Sequence, residues 1–227
     1  MKFFMNQQQH RIVSSRLKAL AEPDPNAGPG GEYHIRSLYF DDADNKALSE
    51  KLGGVRDRSK YRIRIYNGTD AVIYFEKKIK FKDYIAKQKV RLARAEYDAI
   101  VAGDYECLNA PDAPLKHELY SQMKHRLLRP RVIVDYVREP YVCRNGNVRI
   151  TFDKELRTGL SAVDIFDPTL APVRAMDENL IILEVKYDAY IPEYLKAALQ
   201  LEGLVRQSAS KYVICRKLLK YNTWEDQ

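Results

Sequence analysis

Apolar and polar side chains alternate along several short stretches of this chain, most clearly in residues 61–66. There the two arginines and Tyr66 fall on one face of an extended strand, and Tyr61 and the two isoleucines fall on the other. Residues 73–81 and 180–187 repeat the pattern, with Lys and Glu on one face and large apolar residues opposite. The alternation predicts a sheet with one apolar and one charged face. It leaves open whether that charged face is only solvated or is functional.

Turn and capping signals divide the chain into alternating strands and helices. Asn6 and Gln9 have the spacing of a helix capping box, and Asn67-Gly68 and Asn145-Gly146 predict hairpin turns. Residues 22–31 are a loop by composition, and residues 163–173 are ambiguous. The predicted strands are residues 1–5, 33–40, 55–66, 71–80, 84–92, 131–143, 148–156 and 180–187. The predicted helices are residues 6–20, 44–51, 93–102, 115–128, 192–201 and 211–221.

About eight hairpin-linked strands with inserted helices predict an α+β fold with an antiparallel sheet. Closing such a sheet into a barrel would remove its exposed edges. Closure would also turn the charged face into an enclosed lumen of mixed charge, with the helices packed outside. We therefore expect an eight-stranded antiparallel β-barrel.

Composition limits the class of protein. The chain has 227 residues, with 38 Lys and Arg against 31 Asp and Glu, which gives a net charge of +7. This excess fits a polyanionic partner, although it could simply keep the protein soluble. The three cysteines have neither metal-site spacing nor a disulfide framework, so we expect a reducing, cytoplasmic compartment. The apolar stretches are far shorter than the roughly 20 residues that cross a bilayer.

The charged face carries residue types that suit phosphate and metal. Arg offers a planar fork to phosphate oxygens and Lys a point charge, while carboxylates favour Mg²⁺ or Mn²⁺. The alternation assigns to this face Arg62, Arg64, Lys78, Lys80, Arg149, Lys186, Glu76 and Glu184, with Arg138 and Lys211 as further candidates. Each Glu-x-Lys unit could instead be a plain ion pair, and the run from Lys87 to Arg91 a solvated edge strand. The sequence has no Ser/His/Asp set, no Walker loop and no Gly-rich dinucleotide loop.

Seven short motifs, in order, resemble a known family. They are Ser37-Leu38-Tyr39-Phe40-Asp41-Asp42, Lys60-Tyr61-Arg62-Ile63-Arg64-Ile65-Tyr66, Phe75-Glu76-Lys77-Lys78, Tyr136-Val137-Arg138, Val148-Arg149-Ile150-Thr151-Phe152-Asp153, Leu183-Glu184-Val185-Lys186-Tyr187 and Ser210-Lys211-Tyr212. The series resembles the polyphosphate polymerase domain of the vacuolar transporter chaperone (VTC) family in its bacterial stand-alone form. That family belongs to the CYTH-like triphosphate tunnel metalloenzymes. The similarity covers nearly the whole chain.

The resemblance implies a single triphosphate tunnel domain over residues 1–227. It implies that phosphate is bound by Lys2, Arg62, Arg64, Lys78, Lys89, Arg138, Arg149, Lys186 and Lys211. Among these, the residues expected to act in catalysis are Arg62, Arg64, Lys78, Arg138 and Lys186. Glu184 is expected to be the main ligand of Mn²⁺ or Mg²⁺, with Glu76 as a second.

The expected reaction is transfer of the γ-phosphoryl group of ATP to a growing polyphosphate chain. Two alternatives stay open, a metal-dependent inorganic triphosphatase and a non-catalytic polyphosphate-binding module, because the fold alone does not choose among them. The partners are then ATP, triphosphate or polyphosphate, and no nucleic acid is expected. A membrane partner that carries the product away is compatible with the sequence.

The first strand departs from the family pattern. Members usually carry a Glu two residues before a Lys there, but in residues 1–5 only Lys2 has a counterpart. Either the natural start lies upstream, or the metal is bound through Glu184 and Glu76 alone. Because hard divalent cations depend on the number of charged oxygen ligands, we expect weak or absent catalysis by this chain with phosphate binding largely kept.

Overall fold

The computed structural model describes residues 1–82, 84–200 and 203–222. Its helices are α1 (Gln7–Leu20), α2 (Lys46–Leu52), α3 (Arg94–Ala102), α4 (Pro114–His125), α5 (Glu193–Leu199) and α6 (Lys211–Asn222). Its strands are β1 (Lys2–Asn6), β2 (Glu22–Pro23), β3 (Tyr33–Asp41), β4 (Arg58–Tyr66), β5 (Thr69–Phe81), β6 (Tyr84–Leu92), β7 (Arg129–Cys143), β8 (Val148–Thr158), β9 (Val173–Arg174) and β10 (Leu180–Lys186). The chain divides into two compact units, which are described separately.

The first unit contains Met1–His34, Tyr136–Arg157 and Arg174–Lys211. Its sheet has the order β1-β10-β8-β7, and the pairs β1–β10 and β10–β8 are antiparallel. One face is apolar and forms a core with α1 and α5, in which Leu17, Leu183 and Leu195 are fully buried. The amphipathic α1 packs here because its apolar residues recur at helical spacing.

The second unit contains Ile35–Asp135, Thr158–Val173 and the chain from Tyr212 onwards. Its sheet has the order β3-β4-β5-β6, again with antiparallel neighbours. The odd-numbered side chains of β4 and β5, such as Ile63 and Phe75, bury against Tyr97 of α3 and Leu119 of α4. The even-numbered side chains, which are mostly charged, lie on the opposite face.

The predicted α+β class with an antiparallel sheet is confirmed, and all eight predicted strands form. The Asn6 capping box is present, as the spacing indicated. Helix α4 ends at His125, three residues before the predicted end, and residues 163–173 are mostly irregular. Among the described strands, β1 and β6 are each hydrogen-bonded to one neighbouring strand rather than two. A closed barrel would require two neighbours for every strand, so closure stays a prediction.

Two further features bear on the expected cellular setting. The described residues contain no disulfide, and of the three cysteines Cys107 is exposed and the other two are buried. No helix in the described part of the chain is long and apolar enough to span a membrane.

We predict that Asn6→Ala lowers the free energy of unfolding by about 1 kcal/mol, because the Asn6 side chain accepts the Gln9 backbone N–H at 2.8 Å. Urea denaturation measures this change. The control is Gln8→Ala, which alters an exposed residue of the same first turn. Equal stability of the two variants would contradict a structural role for the cap.

Candidate functional site

The polar face of the first unit is arranged in rows across three strands. Lys2 lies opposite Glu184, which lies opposite Thr151, and Lys186 lies opposite Arg149. Since directly paired residues of antiparallel strands point to the same side, these five side chains share one face. The predicted alternation of this sheet is therefore confirmed.

Glu184 is the carboxylate of this face that protein groups hold least tightly. Its oxygens lie 3.6 Å from the ammonium of Lys2 and 3.6 Å from that of Lys186, beyond hydrogen-bond distance. Burial alone would raise its pKa, but the charges of Lys2 and Lys186 outweigh burial and lower the pKa to about 2. Glu184 is thus ionised at neutral pH, and its oxygen lone pairs are available to a further cation.

Asp153 on β8 is held far more tightly. Arg138 binds it through two hydrogen bonds, with Nε to Oδ1 at 2.6 Å and Nη2 to Oδ2 at 2.9 Å. Lys211 forms an ion pair with the same Oδ2, and both cations lie near the ring of Tyr136. Although burial opposes ionisation, Lys211 and Arg138 hold the pKa of Asp153 well below its usual range. The aspartate therefore fixes two predicted phosphate-binding cations in position.

Arg149 has an anionic partner of its own in this unit. Its Nη2 donates to Asp24 at 2.7 Å and to the hydroxyl of Tyr33 at 3.3 Å. The side chain is still 44% exposed, so one side of the guanidinium faces solvent. Arg149 can therefore contact a ligand without losing its aspartate.

The polar face of the second unit is more uniformly basic. Four paired rows cross β4, β5 and β6, and nine of their twelve side chains are cationic while one is acidic. The rows are Arg58–Lys80–Ile85, Lys60–Lys78–Lys87, Arg62–Glu76–Lys89 and Arg64–Tyr74–Arg91. Such an imbalance on one side of a sheet is unfavourable in isolation, because like charges directly opposite each other destabilise the pairing.

Glu76 is the single acid in these rows and is enclosed by cations. Arg62 contacts its Oε2 through Nε at 2.6 Å, and Lys87 forms an ion pair with its Oε1. The residue is only 2% exposed. Burial would raise its pKa, but Arg62, Arg64 and Lys87 outweigh burial and lower the pKa to about 2. Glu76 therefore orients Arg62, and a metal ion would have to displace these cations to reach it.

Strand β3 supplies hydroxyl groups that position the two central arginines. Arg64, which is buried, donates from Nε to the Ser37 hydroxyl at 3.0 Å, and Arg62 donates to the Tyr39 hydroxyl at 2.8 Å. Although burial opposes the shift, the neighbouring charges of Arg62 and Arg64 lower the pKa of Tyr39 to about 8. The ring of Tyr39 lies 5.2 Å from that of Tyr212.

The predicted site residues thus fall into two sets. The first unit holds Lys2, Arg138, Arg149, Lys186, Lys211 and Glu184, and the second holds Arg62, Arg64, Lys78, Lys89 and Glu76. In the second set, Lys78 is exposed and Lys89 lies 4.5 Å from the ring of Tyr74. Their assignment to phosphate and metal stays a prediction.

Sequence reasoning missed several residues that hold the predicted ones in place. Asp153 and Tyr136 lie in quoted motifs, but nothing in the motifs showed that they contact Arg138. Lys60 and Arg58 could have been found, because the alternation that identified Arg62 and Arg64 continues toward the start of β4.

The charged faces offer few ligands for a divalent metal. Within the described residues, no three His, Cys, Asp or Glu side chains come together as a metal centre. Glu184 fits a site in which one carboxylate acts with phosphate oxygens and water, as Mg²⁺ often requires. Glu76 fits less well, because its oxygens already contact Arg62 and Lys87.

Comparison with known proteins identifies the family. The model of the VTC domain family matches residues 1–220. The chain belongs to the VTC domain family. No curated protein matches the sequence of this VTC domain.

Solved structures share the fold of this VTC domain at low sequence identity. A Bacillus halodurans protein described as a candidate adenylate cyclase has 13% identity and a TM-score of 0.55 over 92% of each chain. A Hippeastrum protein described as a candidate adenylyl cyclase with a dominant triphosphatase activity has 14% identity and a TM-score of 0.54. That match covers 95% of this chain and 94% of the other.

We predict that Glu76→Gln makes stability less dependent on acid pH. The pKa of Glu76 is about 2 in the folded protein, against a usual value of 4.5. Its ionised carboxylate therefore stabilises the fold fully above pH 4.5, and this stabilisation is lost as the pH falls from 4.5 toward 2. Urea denaturation across this range should give a shallower slope for Glu76→Gln, and lower stability at neutral pH. The exposed control Glu193→Gln should keep the wild-type slope. An unchanged slope for Glu76→Gln would contradict the ion-pair account.

Proposed function

We propose that this VTC-family protein performs metal-dependent phosphoryl transfer, and that its reaction is the ATP-dependent synthesis of inorganic polyphosphate. The observation that carries the proposal is the basic face of the second unit, where nine cations share four rows with one carboxylate. A phosphate chain carries several linked negative charges and can neutralise several closely spaced cations at once. A single anion neutralises fewer of them. Family membership supports the same class of chemistry.

In the second unit, Arg62 and Arg64 would bind phosphate oxygens. Arg62 is preorganised by Glu76 and Tyr39, and Arg64 by Ser37, so little side-chain freedom is lost when they bind. In phosphoryl transfer, catalysis consists mostly of positioning and stabilising charge. Guanidinium groups held in this way would serve both purposes, and Lys78 and Lys89 would add point charges on the same face.

In the first unit, Arg138, Lys211, Lys2, Lys186 and Arg149 would bind phosphate. Asp153 holds Arg138 and Lys211 as charged donors and removes part of their net charge. The first unit would thus bind anions less strongly per cation than the second, but with more fixed geometry.

Glu184 would hold Mn²⁺ or Mg²⁺ together with phosphate oxygens. When bound, the metal would neutralise charge on the phosphoryl group being transferred. Lys2 and Lys186 keep the Glu184 carboxylate ionised and would lie beside the phosphates that share the metal. We further propose that the chain acts as a single functional domain in the cytoplasm on ATP and polyphosphate, and that a membrane partner carries the product away.

Hydrolysis of triphosphate is the second candidate reaction. It is favoured by the shared fold with the Hippeastrum protein, which is described as having triphosphatase activity. The two reactions differ in the acceptor, which is a phosphate chain in one case and water in the other. The basic face suits a phosphate chain as acceptor better than water, because a phosphate chain is a polyanion that nine cations can bind, whereas water is uncharged.

We predict that purified protein incubated with ATP and Mn²⁺ forms long-chain polyphosphate, at the low rate expected of a chain whose first strand lacks the Glu that family members carry. Gel analysis of the polymer and a free-phosphate assay on the same sample measure the outcome. Free phosphate without polymer would instead indicate the triphosphatase. Neither product, with retained binding of polyphosphate, would indicate a binding module and contradict the proposal.

We predict that Lys78→Ala weakens tripolyphosphate binding by about 1.5–3 kcal/mol, the usual contribution of one charge-assisted contact. The matched control is Lys77→Ala, because Lys77 is the adjacent residue on the opposite face, where it contacts Glu118. Isothermal titration should show a loss for Lys78→Ala only. Equal losses in both variants would show that net charge, and not the polar face, governs binding.

We predict that Glu184→Gln abolishes metal-dependent turnover and leaves metal-free tripolyphosphate binding unchanged or tighter. The carboxylate would serve as a metal ligand when the ion is present and would only repel phosphate when it is absent. Titration with and without Mn²⁺, together with turnover assays, separates these effects. The control is the exposed Glu193→Gln of α5. Full turnover by Glu184→Gln would exclude it as the essential ligand.

A further inference from the structure

The β5–β6 hairpin of the second unit ends in exposed apolar side chains. Tyr84 is 80% exposed and Ile85 61% exposed, and Phe81 is exposed beside them. Phe81 lies directly opposite Tyr84, so these two rings share one face of the hairpin, while Ile85 lies on the other face opposite Lys80. The end of the hairpin is therefore apolar on both faces. Large apolar side chains that cluster on a surface mark an interaction site, whereas single scattered ones do not.

The loop between α2 and β4 adds two exposed apolar side chains next to the hairpin turn. They are Leu52 and Val55. The carboxylate of Asp57 accepts the backbone N–H of Lys82 at 3.0 Å, which ties this loop to the turn. Val55 donates its own backbone N–H to the carbonyl of Glu50 at 2.9 Å, so the loop is held in place against α2. We define the apolar tip as Leu52, Val55, Phe81, Tyr84 and Ile85.

Cations surround the apolar tip. Arg56 and Lys82 are exposed, and the ammonium of Lys82 lies 5.5 Å from the centre of the Phe81 ring. Burial, with the charges of Arg58 and Lys80, lowers the pKa of Lys51, because these three cations lie near one another. In sequence, residues 51–58 and 80–85 together carry five Lys and Arg against two Asp, a net charge of +3. One of the two acids, Asp83, lies outside the described residues.

The surface of an anionic lipid bilayer matches this combination better than another protein does. A protein partner that packs on a hairpin covers one of its faces. Apolar side chains on both faces are buried together when the tip enters a medium that surrounds it. Tyrosine is favoured at the boundary between headgroups and acyl chains, and Lys and Arg next to that boundary are attracted to anionic headgroups.

From this arrangement we infer that the apolar tip is a membrane-docking surface, which inserts into the headgroup region of an anionic bilayer while the surrounding cations contact the lipid headgroups. The contact is peripheral and reversible, because a few inserted side chains bind far less strongly than a membrane-spanning helix. The inference goes beyond the proposed function and does not depend on it. A protein that only bound polyphosphate would dock through the same tip.

The first test is co-sedimentation with lipid vesicles in the absence of nucleotide and metal. Wild-type protein should bind vesicles of equal parts phosphatidylglycerol and phosphatidylcholine, and should bind pure phosphatidylcholine vesicles much more weakly. The variant Tyr84→Ser/Ile85→Ser should lose about tenfold or more in affinity for the mixed vesicles, since burial of one large apolar side chain corresponds to roughly that change. The control Leu127→Ser/Val205→Ser alters exposed apolar residues outside the tip and should keep the wild-type affinity.

Two further measurements separate insertion from attraction by charge. In Tyr84→Trp/Trp224→Phe, the emission of the new tryptophan should shift to shorter wavelength when mixed vesicles are added, because the ring leaves water. The variant Arg56→Gln/Lys82→Gln should bind mixed vesicles several-fold more weakly, whereas the control Lys124→Gln/Arg126→Gln, which removes the same charge from exposed positions, should not. The affinity of Tyr84→Ser/Ile85→Ser for tripolyphosphate should stay at the wild-type value.

Four results would overturn the inference. They are no binding of wild-type protein to the mixed vesicles, undiminished binding by Tyr84→Ser/Ile85→Ser, an equal loss in the Leu127→Ser/Val205→Ser control, and conversion of a wild-type dimer to a monomer by the tip variant in light scattering. The last result would show that a second copy of the chain covers the tip. Failure of the proposed function is distinguishable, since a protein that makes no polyphosphate but loses vesicle binding only in the tip variants would still support docking.

Discussion

Repulsion among like charges on one face of a sheet is the constraint on which the second unit depends. Four rows place nine cations beside a single carboxylate, and three of the rows have none. The opposite face resists this repulsion, with Ile63, Ile65 and Phe75 fully buried against α3 and α4. Burying such apolar side chains contributes roughly 1.5–3 kcal/mol each, which is enough to offset several unfavourable charge pairs. The unit therefore stores an electrostatic cost that an anionic ligand can relieve.

The three important carboxylates have different roles because their neighbours differ. Glu76 and Asp153 are buried and hydrogen-bonded to arginine, so they act as fixed counter-charges that orient Arg62 and Arg138. Within the described part of the chain, Glu184 is held only by ion pairs at 3.6 Å, so its oxygens can accept a further cation. A bidentate arginine contact consumes the lone pairs that a metal would need. Contact geometry therefore distinguishes a structural acid from a candidate metal ligand more sharply than sequence does.

The sequence predicted the faces of the strands but not the contacts between them. Alternation in residues 61–66 correctly separated the arginines from the apolar core, because a side-chain period of two depends only on the extended backbone. Pairing partners depend on register, so the sequence could not show that Lys60 lies opposite Lys78, or that Asp153 binds Arg138. It ranked Glu184 above Glu76 as a metal ligand through the family resemblance, but it could not show how the contacts of these two glutamates differ.

The central claim is that the basic face exists to bind a chain of phosphates. The most direct measurement is thermal unfolding of the wild-type protein with tripolyphosphate or orthophosphate at equal ionic strength, since a ligand that binds only the folded state raises the midpoint. The account predicts a clear rise with tripolyphosphate, a larger rise with longer chains at equal phosphate content, and little effect of orthophosphate. Equal midpoints under all three conditions would contradict it.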